Sequence, residues 1–316
     1  MATDIIRIGS RGSALALWQA HWVRDRFHES FPASSVEIVI IKTTGDKILD
    51  APLSRIGDKG LFTREIERAL LDGAIDLAVH SLKDLPTQLP EGLVLGAVTE
   101  REDVRDVFLP RPDAAVRTLS GQPAGAVIAT GSLRRTSQLL HLRPDLTIID
   151  LRGNLNTRYQ KLTGSTWGGM ILARAGVVRL GWADRIGETL DPHVMLPAVG
   201  QGALGIEIRA GDRRVREIVR CLHHEPTAHA TTAERALLRA LEGGCQVPIG
   251  TYARIEKGAL VMDAMVGSLD GKQVVRGSRH APPADADALG RTLADELLTR
   301  GARAILEAIR HAANNP

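Results

Sequence analysis

The feature that most constrains the fold is alternation: short apolar runs of strand length take turns with segments whose apolar residues recur every three or four positions. Ile5 to Gly9 reads as a strand, the stretch from Ser13 carries Leu15, Trp18 and Trp22 at helical spacing, and Val36 to Ile41 reads as a strand again. That order is a βαβ unit, which requires a sheet covered by helices. Thr63 to Leu71 predicts a helix stopped by Gly73, Ile75 to Val79 a buried strand and Leu93 to Val98 another. The polar run Thr99 to Asp103 and the prolines of Leu109-Pro110-Arg111-Pro112 then suggest a boundary.

A second α/β series follows, with strands predicted at Ala126 to Thr130, Leu146 to Leu151 and Met170 to Ala173 and a helix over Leu133 to Leu142. The glycines and proline of Leu196 to Gly202 fit a crossing segment. After Cys221 the pattern changes to a helix around Thr232 to Leu241, shorter strands at Thr251 to Ile255, Leu260 to Val266 and Val274 to Ser278, and helices to the end. This reads as a separate, smaller α+β domain.

Composition narrows the function. The 316 residues are 44% hydrophobic and 24% charged, with a net charge of +3, so the chain should fold as an ordinary globular protein. Aromatics are only 3%, too few for stacking platforms along a nucleic-acid groove. Two cysteines exclude a disulfide framework, and neither a signal-peptide core nor an apolar run of membrane-spanning length is present, so a cytoplasmic protein without membrane attachment is expected. Of the 40 basic residues 33 are arginine, whose planar fork suits bidentate carboxylate or phosphate recognition, although a GC-rich genome gives the same bias.

Placement separates these readings. In α/β sheets ligands gather beyond the carboxyl ends of the strands, where helix N-termini offer free N–H groups to anions. Ser10-Arg11-Gly12-Ser13 leaves the first strand in this way, as an anion cradle or an ordinary helix cap. Gly131-Ser132-Leu133-Arg134-Arg135 does so in the second series, and two arginines there oppose the helix dipole, losing stability unless an anion is present. Arg152, Asn154 and Arg158 follow the next strand, and Arg179 lies beyond Gly176. In His80-Ser81-Leu82-Lys83-Asp84-Leu85-Pro86, the proline forbids a long helix and leaves Lys83 and Asp84 in the loop at a strand end. Asp84 is then either a carboxylate able to stabilise a cationic intermediate or a surface ion-pair partner. Cys245, behind Gly243-Gly244, is displayed as a reactive or modified thiol would be, whereas Cys221 reads as a buried small hydrophobe. The spacing of Cys221, His223, His224 and Cys245 matches no usual zinc pattern, so no metal is expected.

Together these segments, with Gln19, Asp58-Lys59-Gly60-Leu61-Phe62, Gly200-Gln201-Gly202 and Leu241-Glu242-Gly243-Gly244-Cys245, resemble the porphobilinogen deaminase family over nearly the whole chain. The resemblance implies two domains like type II periplasmic binding proteins, residues 1–103 with 199–220 and residues 104–198, and a third domain over 221–316. It implies a transferase of tetrapyrrole (haem) biosynthesis, a monomer with no obligate protein partner, that joins four porphobilinogens head to tail with loss of ammonia and releases hydroxymethylbilane. It also implies a dipyrromethane cofactor joined to Cys245 by a thioether. Asp84 matches the catalytic position, Lys83, Ser132, Arg134, Arg135, Asn154 and Arg158 match cofactor-binding positions, and Arg11, Ser13, Gln19, Lys59, Arg152 and Arg179 match substrate-binding ones. Arg55 stands where relatives often carry lysine, with the charge kept.

Two other classes compete. A non-enzymatic carboxylate-binding module would use the arginines but need neither Cys245 nor Asp84. A thiol-dependent acyl transferase would present Cys245 as a free nucleophile, open to alkylation by iodoacetamide where a tethered thioether is not.

Overall fold

The structure is a computed structural model that describes residues 5–47, 60, 62–242 and 247–314. Lys59, Arg55 and Cys245, with Asp58, Leu61, Gly243, Gly244 and Gln246, lie outside the described residues. The chain divides into two compact units: residues 1–49, 58–102 and 200–228, and residues 50–57, 103–199 and 229–316.

The first unit is built on a sheet of β1 (Ile6–Ser10), β2 (Val36–Ile40), β3 (Leu77–Ser81), β4 (Leu93–Val98) and β10 (Leu204–Arg209), in the order β2-β1-β3-β10-β4. β1 pairs in parallel with β2 and β3, and β10 is antiparallel to both β3 and β4. Strands buried on two faces read as continuous apolar runs, as in Leu77-Ala78-Val79. Helices Ala14–Ser30 and Arg213–Val219 cover one face, where Phe27, Val23 and Val215 meet Ile6, Ile8 and Ile206. Helix Arg64–Leu71 covers the other, where Ile66 and Leu70 meet Ile75, Ala78 and Leu93.

The second unit repeats that order. β5 (Asp106–Pro110), β6 (Val127–Ala129), β7 (Thr147–Ile149), β8 (Gly169–Ala173) and β9 (Glu188–Thr189) lie as β7-β6-β8-β5-β9, again three parallel strands followed by an antiparallel one. In each sheet the antiparallel strand, β5 or β10, is the first one formed after the chain passes from the other unit, at residues 102–103 and 199–200. Both are the helix-covered α/β sheets that the alternation in the sequence implied.

β5 corrects the reading of Leu109-Pro110 as punctuation. All five residues of β5 are buried, with Val107 and Leu109 in one core and Phe108 in the other. Pro110 sits at the strand's last position, where its missing N–H costs the ladder least. Opposite lies Gly169, where a Cβ would stand 2.4 Å from the Phe108 ring and 2.6 Å from the Leu109 carbonyl oxygen.

The same unit holds an antiparallel meander of β11 (Ile249–Glu256), β12 (Ala259–Gly267) and β13 (Val274–Ala281). Lys257 and Gly258, both at positive φ, form the two-residue turn between β11 and β12, the mirror-image turn that suits a hairpin's twist. Helices Glu225–Ala240, Ala286–Leu297 and Arg303–Asn314 bury one face of this sheet in a core of its own. The first of these helices begins seven residues before the predicted Thr232. Cys221 lies in a 3-10 turn and is exposed rather than buried, its Sγ donating to the Ile218 carbonyl at 3.2 Å.

Candidate active site

In the first unit the parallel ends of β1 and β3 bring two of the predicted segments to one sheet edge. Ser13 caps helix Ala14–Ser30, its Oγ accepting from the Ala16 N–H at 3.3 Å, so its oxygen serves the cap. Half-buried Arg11 lies over the Phe62 ring, 4.2 Å from its centroid. Gln19, one turn and a half into the helix, is 3% exposed, and its Nε2 donates to Ser81 Oγ at 2.8 Å. Ser81 ends β3, and Leu82–Asp84 follow as a 3-10 turn closed by the Leu85 N–H on the Leu82 carbonyl. Leu82 is buried, Lys83 is half-buried and Asp84 is exposed. The turn sits at the strand end where Pro86 was expected to hold it.

The second unit gathers its cations at the carboxyl ends of parallel β7, β6 and β8. The turn after β6 is tight: a Cβ at Gly131 would lie 2.5 Å from the Leu151 carbonyl oxygen. Half-buried Ser132 precedes helix Leu133–Leu142. After β7, Arg152 pairs with Asp150 at 3.1 Å, and Asn154 caps helix Leu155–Thr163 by accepting from the Thr157 N–H at 3.0 Å. Arg158 Nε donates to the Gly153 carbonyl at 2.8 Å, and Arg179 ends helix Arg174–Arg179 after β8. Arg152, Arg158 and Arg179 are each only partly buried, so solvent reaches them.

Arg134 and Arg135 differ from the other cations: the anion that the paired arginines need is supplied within the unit. Both are 5% exposed, and between them lies fully buried Asp106 of β5. Arg134 Nη1 donates to Asp106 Oδ2 at 2.8 Å and to the Leu196 carbonyl at 2.6 Å. Arg135 donates through Nη2 to Asp106 Oδ1 at 2.8 Å and through Nη1 to the Ile171 carbonyl at 3.0 Å. Burial alone would raise the Asp106 carboxyl, but the charges of Arg134 and Arg135 outweigh it and hold the group far below the usual carboxylate range. Burial lowers Arg134 in turn, offset in part by Asp106. Two cations against one carboxylate leave one net positive charge, and the Nε atoms of both arginines have no partner among the described residues. Asp106 escaped the sequence reading because a single acid in an apolar strand carries no pattern; the signal was the acid's distance of one strand from a paired-arginine turn, visible only in three dimensions.

Behind the Asp84 turn lies a second buried polar group. His80 of β3 and Glu207 of β10 are 7% and 0% exposed, with Nε2 and Oε2 3.1 Å apart. Glu67, on helix Arg64–Leu71, is 7% exposed, and burial first and the Glu207 charge after it push its carboxyl up.

No group of three or more His, Cys, Asp or Glu residues placed to hold a metal occurs among the described residues, and no described helix is long and apolar enough to cross a membrane. The donors present, a serine hydroxyl and partly exposed guanidiniums at one sheet edge, suit a ligand with several carboxylates.

Sequence comparison agrees with the site's chemistry. The family model described as porphobilinogen deaminase, dipyromethane cofactor binding domain, matches residues 6–217, and that of the porphobilinogen deaminase C-terminal domain matches residues 228–299. The porphobilinogen deaminase of Moorella thermoacetica is 53% identical over 305 residues, covering 96% of each chain. That of Gloeobacter violaceus is 53% identical over 304 residues, 96% of this chain and 93% of its own. Among solved structures the methionine-binding protein MetQ aligns with a TM-score of 0.42 and 14% identity, over 70% of this chain and 90% of that one. On the two family matches and the full-length identity, the chain belongs to the porphobilinogen deaminase family.

Proposed function

We propose that the chain condenses four porphobilinogens head to tail, with loss of ammonia at each step, and releases hydroxymethylbilane, working as a cytoplasmic monomer of three domains with boundaries near residues 103, 199 and 221. The observation that carries this reading is the content of the strand ends taken unit by unit: in the first unit one presents an exposed carboxylate, Asp84, and in the second they present a set of cations.

Each porphobilinogen brings an acetate and a propionate, so a growing chain accumulates negative charge. Arg152, Arg158 and Arg179, partly exposed, and Ser132 are the residues suited to pair with those carboxylates, together with Arg11, Lys83 and Lys59 from the first unit's segments, whereas Ser13 serves that segment by capping its helix and Gln19, buried, by holding Ser81. Arg134 and Arg135 form with Asp106 a buried charge of +1 that favours anions at the start of helix Leu133–Leu142, and their Nε atoms remain to serve the cofactor's carboxylates. Asn154 orders the turn that carries Arg152 and Arg158 through its cap. A dipyrromethane joined to Cys245 by a thioether would be held through its carboxylates by these cations and would supply a covalent primer for the growing chain.

Asp84 acts on the reacting carbon. When ammonia leaves the aminomethyl group, positive charge spreads over the pyrrole, and a carboxylate fixed at a strand end stabilises it without reorganising. Carried on the 3-10 turn at the end of β3, the Asp84 carboxylate accepts from a pyrrole N–H of the substrate.

The test is mass. Intact mass spectrometry of the purified protein is expected to exceed the sequence mass by one dipyrromethane unit, mapped to the peptide that contains Cys245. Cys245→Ser should lose both adduct and activity, whereas Cys221→Ser should keep both. An active protein with unmodified Cys245, alkylated by iodoacetamide, would instead favour the thiol transferase reading.

A further inference from the structure

The strand that delivers Asp84 is fixed from both faces of its sheet. On the face toward helix Ala14–Ser30, Gln19 holds Ser81 at 2.8 Å. On the face toward helix Arg64–Leu71, His80 meets Glu207 at 3.1 Å. The antiparallel register places His80 opposite Gly205 and Glu207 opposite Ala78, so the two side chains are diagonal neighbours on one face. One residue after Ser81, the Leu82 N–H donates to the Ala203 carbonyl at 3.0 Å, and the Leu82 side chain packs with Leu85, Val98 and Ala203. Everything up to Leu82 is therefore locked, and Lys83 and Asp84 project from the locked end.

The His80–Glu207 pair is costly for a mere filler. Glu207 is fully buried, its Oε1 has no hydrogen-bond partner among the described residues, and Glu67 brings a second carboxylate nearby. A buried polar pair of this kind is seldom more stabilising than apolar residues of the same volume, so its presence behind this turn points to a directional role. We propose that His80 and Glu207 are positioning residues that set the direction in which the Leu82–Asp84 turn presents the Asp84 carboxylate, an inference that rests on the reading of Asp84 as the catalytic carboxylate. Gln19 is its counterpart on the opposite face. The groups that face the pair are Glu67 and, through Glu67, Arg64 of the helix packed on it.

The experiment compares Glu207→Gln, His80→Gln and the apolar double variant His80→Leu/Glu207→Leu, each as holoenzyme, with Asp84→Glu as a reference. Mispositioning of a reacting group by a fraction of an ångström to an ångström costs about 10- to 100-fold in rate. The expected result is a fall of about 10-fold or more in kcat for Glu207→Gln and for the apolar pair, with KM for porphobilinogen changed less than about twofold and the melting temperature of the apolar pair at or above that of the parent. His80→Gln keeps a side-chain N–H toward Glu207 and should recover part of the lost rate relative to the apolar pair. Combined with Asp84→Glu, where the carboxylate is already displaced, Glu207→Gln should cost clearly less than it does alone. A folded apolar pair with parental kcat overturns the proposal, as does strict additivity with Asp84→Glu. If the apolar pair does not fold, Glu207→Gln alone carries the same test. Failure of the underlying reading looks different: Asp84→Asn would itself turn over at the parental rate.

Discussion

Replacing Asp106 with asparagine should be the most damaging single change in the second unit, because it leaves two cations buried together with no carboxylate between them. In the parent each guanidinium donates to its own carboxylate oxygen at 2.8 Å and the acid is wholly buried, so solvent cannot take over its work. Removing one partner of a buried pair costs about 3–5 kcal/mol. For a unit of this size that corresponds to roughly 6–20 °C in melting temperature. Arg134→Leu should cost less, since it leaves Asp106 and Arg135 as a balanced pair and removes the repulsion between the two arginines. Urea or thermal unfolding followed by tryptophan fluorescence reads this unit well, because Trp167 and Trp182 pack against one of the cores that β5 joins. The deficit should be constant from about pH 5 to 8: Asp106 is held far below the usual range, so its contribution is complete above that range and is lost only as pH falls through the lowered value. An Asp106→Asn protein within about 1 kcal/mol of the parent, or one more stable than Arg134→Leu, would refute the buried-charge account.

Asp84→Asn should fold normally yet lose at least about 100-fold in turnover, with Asp84→Glu between it and the parent, as rapid-quench measurement of single condensations would show. An asparagine enzyme at the parental rate would make Asp84 a surface residue only. Glu67→Gln should stabilise the protein at about pH 8 and not at pH 4: the folded-state carboxyl is raised by burial and by Glu207, so stability falls as pH climbs from the ordinary carboxylate range through the raised value, and glutamine removes that loss. Equal gains at both pH values in a denaturation series would contradict it.

Much of this was legible in the chain. Leu93–Val98 and helix Leu133–Leu142 fall on their predicted bounds, because each is an apolar or periodic run flanked by turn residues. The strand-end turns followed from them, since a strand that ends at Ser81 before a proline leaves little freedom for Lys83 and Asp84. β5 was hidden because two prolines and two arginines beside it mimic a linker, and because complete burial erases the alternation that marks a half-exposed strand. The roles of Asp106, His80 and Glu207 were hidden for another reason: each belongs to a pair made across the sheet or through it, between residues 28 to 127 positions apart. Cys221 read as a buried small hydrophobe, but it lies exposed in a 3-10 turn while its neighbour Leu222 enters the core.

The strand order of the first unit has a consequence for synthesis. β10 lies between β3 and β4, yet it leaves the ribosome more than a hundred residues after both. At about 5–20 residues per second the nascent chain spends on the order of 10 s with β3 exposing an unpaired edge and β4 lacking its sheet neighbour. Over the same interval the sheet of residues 106–189, contiguous in sequence, can close on itself. The sheet begun first is thus finished second, and a chaperone that shields bare strand edges has its longest opportunity on the N-terminal hundred residues.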